Sequence, residues 1–206
     1  MRKITINLAA VAAFCIVVAS PALVSSSCAT PKTEQEDTTI IREDSGITAL
    51  KYSSPEVPAS IEFCGKTIDL SRFDRHERMD RELLAFTYMH STSLQMLKKA
   101  NRYFPIVEPI LKENGIPDDF KYLMVIESNM NPTARSSAGA AGLWQFMQGT
   151  GRDYGLEVNN NVDERYHIEK ATRAACRYLK DAYAKYKDWV AVAASYNCLL
   201  YTSDAA

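Results

Sequence analysis

The sequence predicts a mostly α-helical domain, and three observations carry that prediction. From Asp74 onward apolar side chains recur every three or four residues, the helical period. Strand-like alternation is confined to two short runs between Ile61 and Leu70. Acidic or glycine-containing boundaries punctuate the helical stretches at ordinary helix lengths.

The elements follow in order. Ile61 to Leu70 reads as a small β-hairpin around a Gly65-Lys66 turn. Met79, Leu83, Phe86, His90, Leu94 and Leu97 form one stripe of a long helix, with Glu77 and Arg81 paired on its outer face. A second helix follows the Pro105 region and stops at Asn114-Gly115. Asp118 is expected to cap a third, Phe120 to Glu127. Ser136 to Gly142 holds small residues and suits a closely packed loop. Ile168, Thr172, Ala175, Leu179, Ala182 and Tyr186 mark another helix, opened by Asp163-Glu164, and Trp189 to Ala194 begins a last one.

The ends read differently. Residues 1–28 start with Arg2 and Lys3, continue apolar to Val24 and finish on Ser25, Ser26, Ser27 and Cys28, the order of a secretory signal peptide. Pro21 and Asn7 argue against a permanent span. Cys28 is either the lipidated first residue of a lipoprotein, giving membrane attachment, or part of a plain signal cut after Ala29. Residues 29–60 are rich in Thr, Ser, Glu, Asp and Pro and read as a flexible linker. The folded domain is expected over 61–197. Residues 198–206 look like the translation of a transposon-end sequencing adapter and read as a non-native tail on a truncated domain.

Charge is balanced, with 24 Lys and Arg against 25 Asp and Glu, so no broad field points to nucleic acid. Lys98, Lys99 and Arg102 form a local basic cluster, expected as a solvated face near a helix end. His76, His90 and His167 lack metal-ligand spacing, and no phosphate-binding glycine loop follows a strand, so neither metal nor cofactor is expected. Cys64 and Cys176 could pair in an oxidising compartment, but two free, buried thiols is the favoured reading.

Tyr122-Leu123-Met124-Val125-Ile126-Glu127 ends an apolar run on a carboxylate near a helix C-terminus. Low polarity and the negative end of the helix both disfavour the anion. A carboxyl so placed stays protonated near neutral pH and can donate to a leaving oxygen. The bland alternative is a glutamate leaving the core for water.

Three ordered blocks decide between them: Glu127-Ser128-Asn129-Met130-Asn131-Pro132, Ser136-Ser137-Ala138-Gly139-Ala140-Ala141-Gly142-Leu143-Trp144-Gln145-Phe146-Met147, and Ala194-Ser195-Tyr196-Asn197. In them the sequence resembles the soluble-lytic type of lytic transglycosylase, within the lysozyme-like superfamily. The resemblance implies a lysozyme-like helical catalytic domain that cleaves peptidoglycan glycan strands in the periplasm of a bacterium. Glu127 would be the single catalytic acid and base. Ser128 and Ser136 would hydrogen-bond near it and to the sugar, Gln145 would contact the saccharide, and Met147 would line the groove. Tyr196 and Asn197 would position the N-acetylmuramic acid ring and the catalytic carboxyl. Trp144 is read as core rather than as a sugar platform. Asp153 and Glu157 suit capping or solvent better than a second catalytic role. After Asn197 the likeness ends, where the family continues with a glycine and further helix. A goose-lysozyme-like muramidase and a catalytically idle peptidoglycan-binding module are the rival readings.

Overall fold

The computed structural model describes residues 55–202, and side chains from 55 to 196. The signal segment, Cys28, most of the expected linker, the Asn197 side chain and residues 203–206 lie outside what is described.

The helical expectation holds, with a small antiparallel hairpin ahead of the helices. Strand β1 (Ser60–Phe63) pairs with β2 (Lys66–Asp69). Ile61 and Phe63 point inward while Ser60 and Glu62 face water, the alternation of a one-sided sheet. The turn falls at Cys64-Gly65, one residue before the Gly-Lys pair expected from sequence. Both turn residues have positive φ, 50° and 74°, which matches the twist of a tight hairpin. Two side chains anchor it: Asp119 accepts from the Cys64 amide at 2.7 Å, and Lys66 pairs with Asp188 at 2.7 Å.

The long stripe expected from Met79 to Leu97 is two helices. Helix α1 (Phe73–Tyr88) stops at Met89, whose ψ of 49° leaves the helical range, and α2 (His90–Glu113) begins directly after it. Met79 and Leu83 pack with Ile61 and Leu70 in a small cluster. Leu94 and Leu97 remain exposed. Periodicity ran through the break because only one residue separates the helices. Glu77 and Arg81 form no ion pair with each other; Arg81 instead approaches Glu82 at 3.9 Å.

Helix α2 also corrects the expected start after Pro105, because it runs through both Pro105 and Pro109. An interior proline costs about 3 kcal/mol or more. Both prolines lie on the exposed side, while Tyr103, Phe104, Val107, Ile110 and Leu111 are buried on the other. Full burial of such a side chain contributes roughly 1.5–3 kcal/mol, so the apolar face outweighs the missing backbone bonds. Lys98, Lys99 and Arg102 therefore sit inside α2 rather than at its end.

Asp118 is no helix cap. It starts a 3-10 turn, Asp118–Tyr122, and pairs with Lys121. The turn feeds α3 (Leu123–Ser128), six residues long. After the loop come α4 (Gln148–Asp153), a 3-10 turn at Glu164–Tyr166, α5 (Ile168–Tyr186) and α6 (Trp189–Thr202). Asp163 accepts from the Arg165 amide and so opens that second turn, while His167 caps α5.

Helices α2 and α5 face each other across the main core, which gathers Phe104, Leu111, Phe120, Leu123, Trp144, Phe146 and Leu179. Tyr183 stacks on Trp189 at 4.1 Å, seating α6 against α5. Cys176 is buried in this core and Cys64 is half-buried; both thiols are free, and burial pushes both above the ordinary thiol range.

Candidate active site

Helix α3 delivers Glu127 from the middle of the core. Leu123, Met124 and Val125 are buried, and Asn129 ends the helix in the left-handed region with φ 49°. Met130 follows at φ 52°, its amide bonded back to Met124 at 3.2 Å. Two successive left-handed non-glycine residues are uncommon and cost free energy, a pattern that concentrates at functional sites. The reversal they produce turns the chain sharply away beyond Glu127. Asn131 then accepts from the amide and hydroxyl of Thr133 and closes the next turn.

Glu127 stands apart among the described carboxyls, since Asp69, Asp163, Glu164 and Asp188 are all held below the usual range. Its Oε1 is buried and has no hydrogen-bond partner. Burial alone raises its pKa from 4.5 to about 7. Among the described residues no charged group contributes to the shift. Asp153 and Glu157 are both exposed, and Glu157 accepts instead from Asn159 at 2.8 Å.

The small-residue loop is laced across its width. Ala141 and Phe146 exchange two backbone bonds, at 3.0 and 3.1 Å, and the Gly142 amide reaches Ala134 at 2.9 Å. Gly142 has φ +79°, and a Cβ there would collide with the Arg165 carbonyl, so the position requires glycine. Ser136 is half-buried; its Oγ accepts from the Ala140 amide at 3.0 Å and keeps its own proton free to donate.

Gln145 is left-handed too, at φ 49°. Its Nε2 donates to Gly142 at 2.7 Å and to Ala134 at 3.3 Å, which commits both amide protons and leaves Oε1 to accept. Ser128 faces the carbonyls of Met124 and Leu143, at 2.9 and 3.0 Å, and so ties α3 to the loop. Met147 is half-buried at the start of α4.

Tyr196 comes from α6 and is wholly buried. Its hydroxyl donates to the Trp144 carbonyl at 3.0 Å. Burial first, then the nearby Glu127 carboxylate and Tyr178, hold its phenol well above the ordinary value. Tyr196 thus places α6 beside Glu127 and supports the loop from behind. Trp144 is fully buried, its indole N–H donating to Thr172 at 3.0 Å, the core position expected of it.

Sequence reasoning missed Arg165. Asp163-Glu164 was legible as a helix opening and Arg165 drew no reading, yet the Arg165 side chain is buried against the same loop and pairs with Asp163 at 2.7 Å. Arg165 also holds the Asp163 carboxyl below the usual range. Lys99 is a second omission, since its ammonium reaches the Asn129 carbonyl at 3.0 Å, just past Glu127.

Comparison with known proteins gives a family match over this part of the chain. Residues 105–202 match the transglycosylase SLT domain, a span that contains α3, the loop, α5 and α6. A membrane-bound lytic murein transglycosylase D from Escherichia coli (strain K12) is 31% identical over 122 residues, covering 59% of this chain and 26% of that protein. A protein of the same description from Escherichia coli O6:H1 matches to the same extent. A putative tributyltin chloride resistance protein from an Alteromonas species is 22% identical over 111 residues, covering 53% of this chain and 54% of its own length. The chain spans about a quarter of the length of the first two relatives.

Proposed function

We propose, from the match of residues 105–202 to the transglycosylase SLT domain and from the geometry around Glu127, that this protein is a lytic transglycosylase. It cleaves the β-1,4 bond between N-acetylmuramic acid and N-acetylglucosamine in peptidoglycan, leaving 1,6-anhydro-muramic acid ends. The observation that carries the reading is the Glu127 carboxyl, with a buried, unpartnered Oε1 and a pKa near 7.

Near neutral pH such a carboxyl is substantially protonated. It donates its proton to the glycosidic oxygen as that bond breaks and an oxocarbenium-like centre develops. The resulting carboxylate then takes the proton from the muramic acid's own 6-hydroxyl, whose oxygen closes on the anomeric carbon. The substrate supplies the nucleophile, held by the ring itself, so proximity replaces a second protein carboxyl. That no charge among the described residues contributes to the Glu127 shift fits a site with one acid. A hydrolytic glycosidase uses a pair.

Around it, Ser136 donates to the sugar, Gln145 accepts through Oε1, and Met147 lines the groove wall. Ser128 and Tyr196 serve the site by fixing the loop against α3 and α6, and Asn197 follows Tyr196 into the same region of α6. No cofactor enters the chemistry. A leader at residues 1–28 would export the enzyme to the periplasm, and acylation of Cys28 would anchor it to the outer membrane.

Mass spectrometry of glycan products tests the reading. Anhydro ends, one water lighter than hydrolytic ends, are expected; reducing ends would replace the transglycosylase with a muramidase. Glu127→Gln is expected to lower cleavage by about a thousandfold or more, consistent with loss of the only proton donor. Equal cleavage by that variant would remove Glu127 from the mechanism.

A further inference from the structure

Among the described residues, no other charged side chain is buried as deeply as Arg165, which is 1% exposed. A guanidinium taken out of water needs full compensation. Here every bond it makes has a structural address. Nε and Nη2 grip the two oxygens of Asp163 at 2.9 and 2.7 Å. Nη1 donates to the Gly139 carbonyl at 2.8 Å and to the Phe146 carbonyl at 2.9 Å.

Those two carbonyls stand on opposite limbs of the loop. Gly139 belongs to the turn that begins at Ser136, since its amide bonds the Ser136 carbonyl at 3.1 Å. Phe146 directly follows Gln145 and pairs back to Ala141. One rigid, planar fork therefore spans the limb bearing Ser136 and the limb bearing Gln145. The Arg165 backbone contributes as well, because its carbonyl abuts Gly142 at the base of the loop. No hydrogen bond or ion pair joins Arg165 to Glu127.

We propose that Arg165, braced by Asp163, is a positioning residue that sets the spacing between the saccharide contacts Ser136 and Gln145. It governs glycan affinity and takes no part in the proton transfers of Glu127. The proposal rests on the lytic transglycosylase reading of the site. Lysine in its place keeps the charge but is a point donor without the fixed fork. Methionine fills much of the same space and leaves Asp163 and both carbonyls without their partner.

The test uses the full chain carrying Glu127→Gln, so that bound sugar is not consumed. Calorimetry measures binding of a defined hexasaccharide of alternating N-acetylglucosamine and N-acetylmuramic acid. Adding Arg165→Lys is expected to weaken binding about tenfold, and Arg165→Met further, with stoichiometry staying near one. Should the methionine variant fail to fold, the lysine variant alone decides. Unchanged affinity would overturn the proposal. So would a reduced stoichiometry at unchanged affinity, which means that Arg165 only keeps molecules folded. If the Glu127→Gln parent itself binds no hexasaccharide, the saccharide-site reading falls and this inference falls with it. With Glu127 restored, Arg165→Lys is expected to raise KM while the pH at which kcat declines stays in place. A displaced decline would put Arg165 in the proton chemistry and equally overturn the assignment.

Discussion

The two ends of the described chain solve burial in different ways. Around β1, β2 and α1, a cluster of Ile61, Leu70, Met79 and Leu83 closes a small apolar contact, and Phe73, Leu84, Met89 and Leu94 remain exposed nearby. Around α3, the loop and α6, polar groups go inside and nearly all are bonded: Trp144 to Thr172, Tyr196 to Trp144, Arg165 to Asp163 and two carbonyls. The contrast teaches how to read Glu127. In a loosely finished region an unpaired atom means little. In a region where buried donors and acceptors find partners, the bare Oε1 stands out, and under the proposed function its partner would be the substrate.

Breaking the tightly bonded region is expected to have the largest effect. Gly142→Ala puts a methyl group into the Arg165 carbonyl at a positive φ, and a loss of about 4 kcal/mol or outright failure to fold is expected in urea denaturation. A loss within about 0.5 kcal/mol would mean that the loop and the Arg165 segment can separate freely.

Next comes the pH dependence of Glu127. Its folded pKa of about 7 lies above its ordinary 4.5, so its contribution to stability is full below pH 4.5. That contribution is lost as pH rises towards 7, where the unfolded chain is ionised and the folded site resists ionisation. Glu127→Gln should therefore match the parent at pH 4 and exceed it at pH 8 by on the order of 3 kcal/mol. Paired melting curves at the two pH values check this, and a gap that does not grow with pH would contradict the buried, unassisted carboxyl. Cleavage by the parent enzyme should fall above pH 7 for the same reason.

Thr172→Val sharpens the comparison from the core side. It strands the Trp144 indole N–H and should cost about 1–3 kcal/mol while leaving hexasaccharide affinity unchanged. Loss of affinity would return Trp144 to the sugar groove. The smallest change is expected at the other end, where Leu94→Gln on exposed α2 surface should stay within about 0.5 kcal/mol in the same denaturation assay.

Much of this was written plainly in the residues. The position of Glu127 at the end of an apolar run announced a desolvated carboxyl, and the hairpin, α5 and the core position of Trp144 followed from local pattern. What escaped was set by tertiary context. The break at Met89 left no trace because the apolar spacing on its two sides stays in phase. Pro105 and Pro109 looked like a boundary, since the local cost of proline is legible and the compensating burial of Phe104 and Val107 is not. Asp118 carried the chemistry of a cap but found Lys121 instead. Arg165 was hidden because nothing in a charged triplet tells which member turns inward. Asp163 decides that, through a bidentate grip visible only in three dimensions.

The left-handed backbone at Asn129, Met130 and Gln145 narrows what the site can become. At these three places valine, isoleucine and threonine are disfavoured before any contact with a ligand is considered, because a branched Cβ fits that backbone poorly. A library that randomises the groove will thus lose many variants to conformation rather than to chemistry. Met147 and Ser136, which carry no such positive φ, are the places where the alphabet stays open and altered sugar preference can be sought.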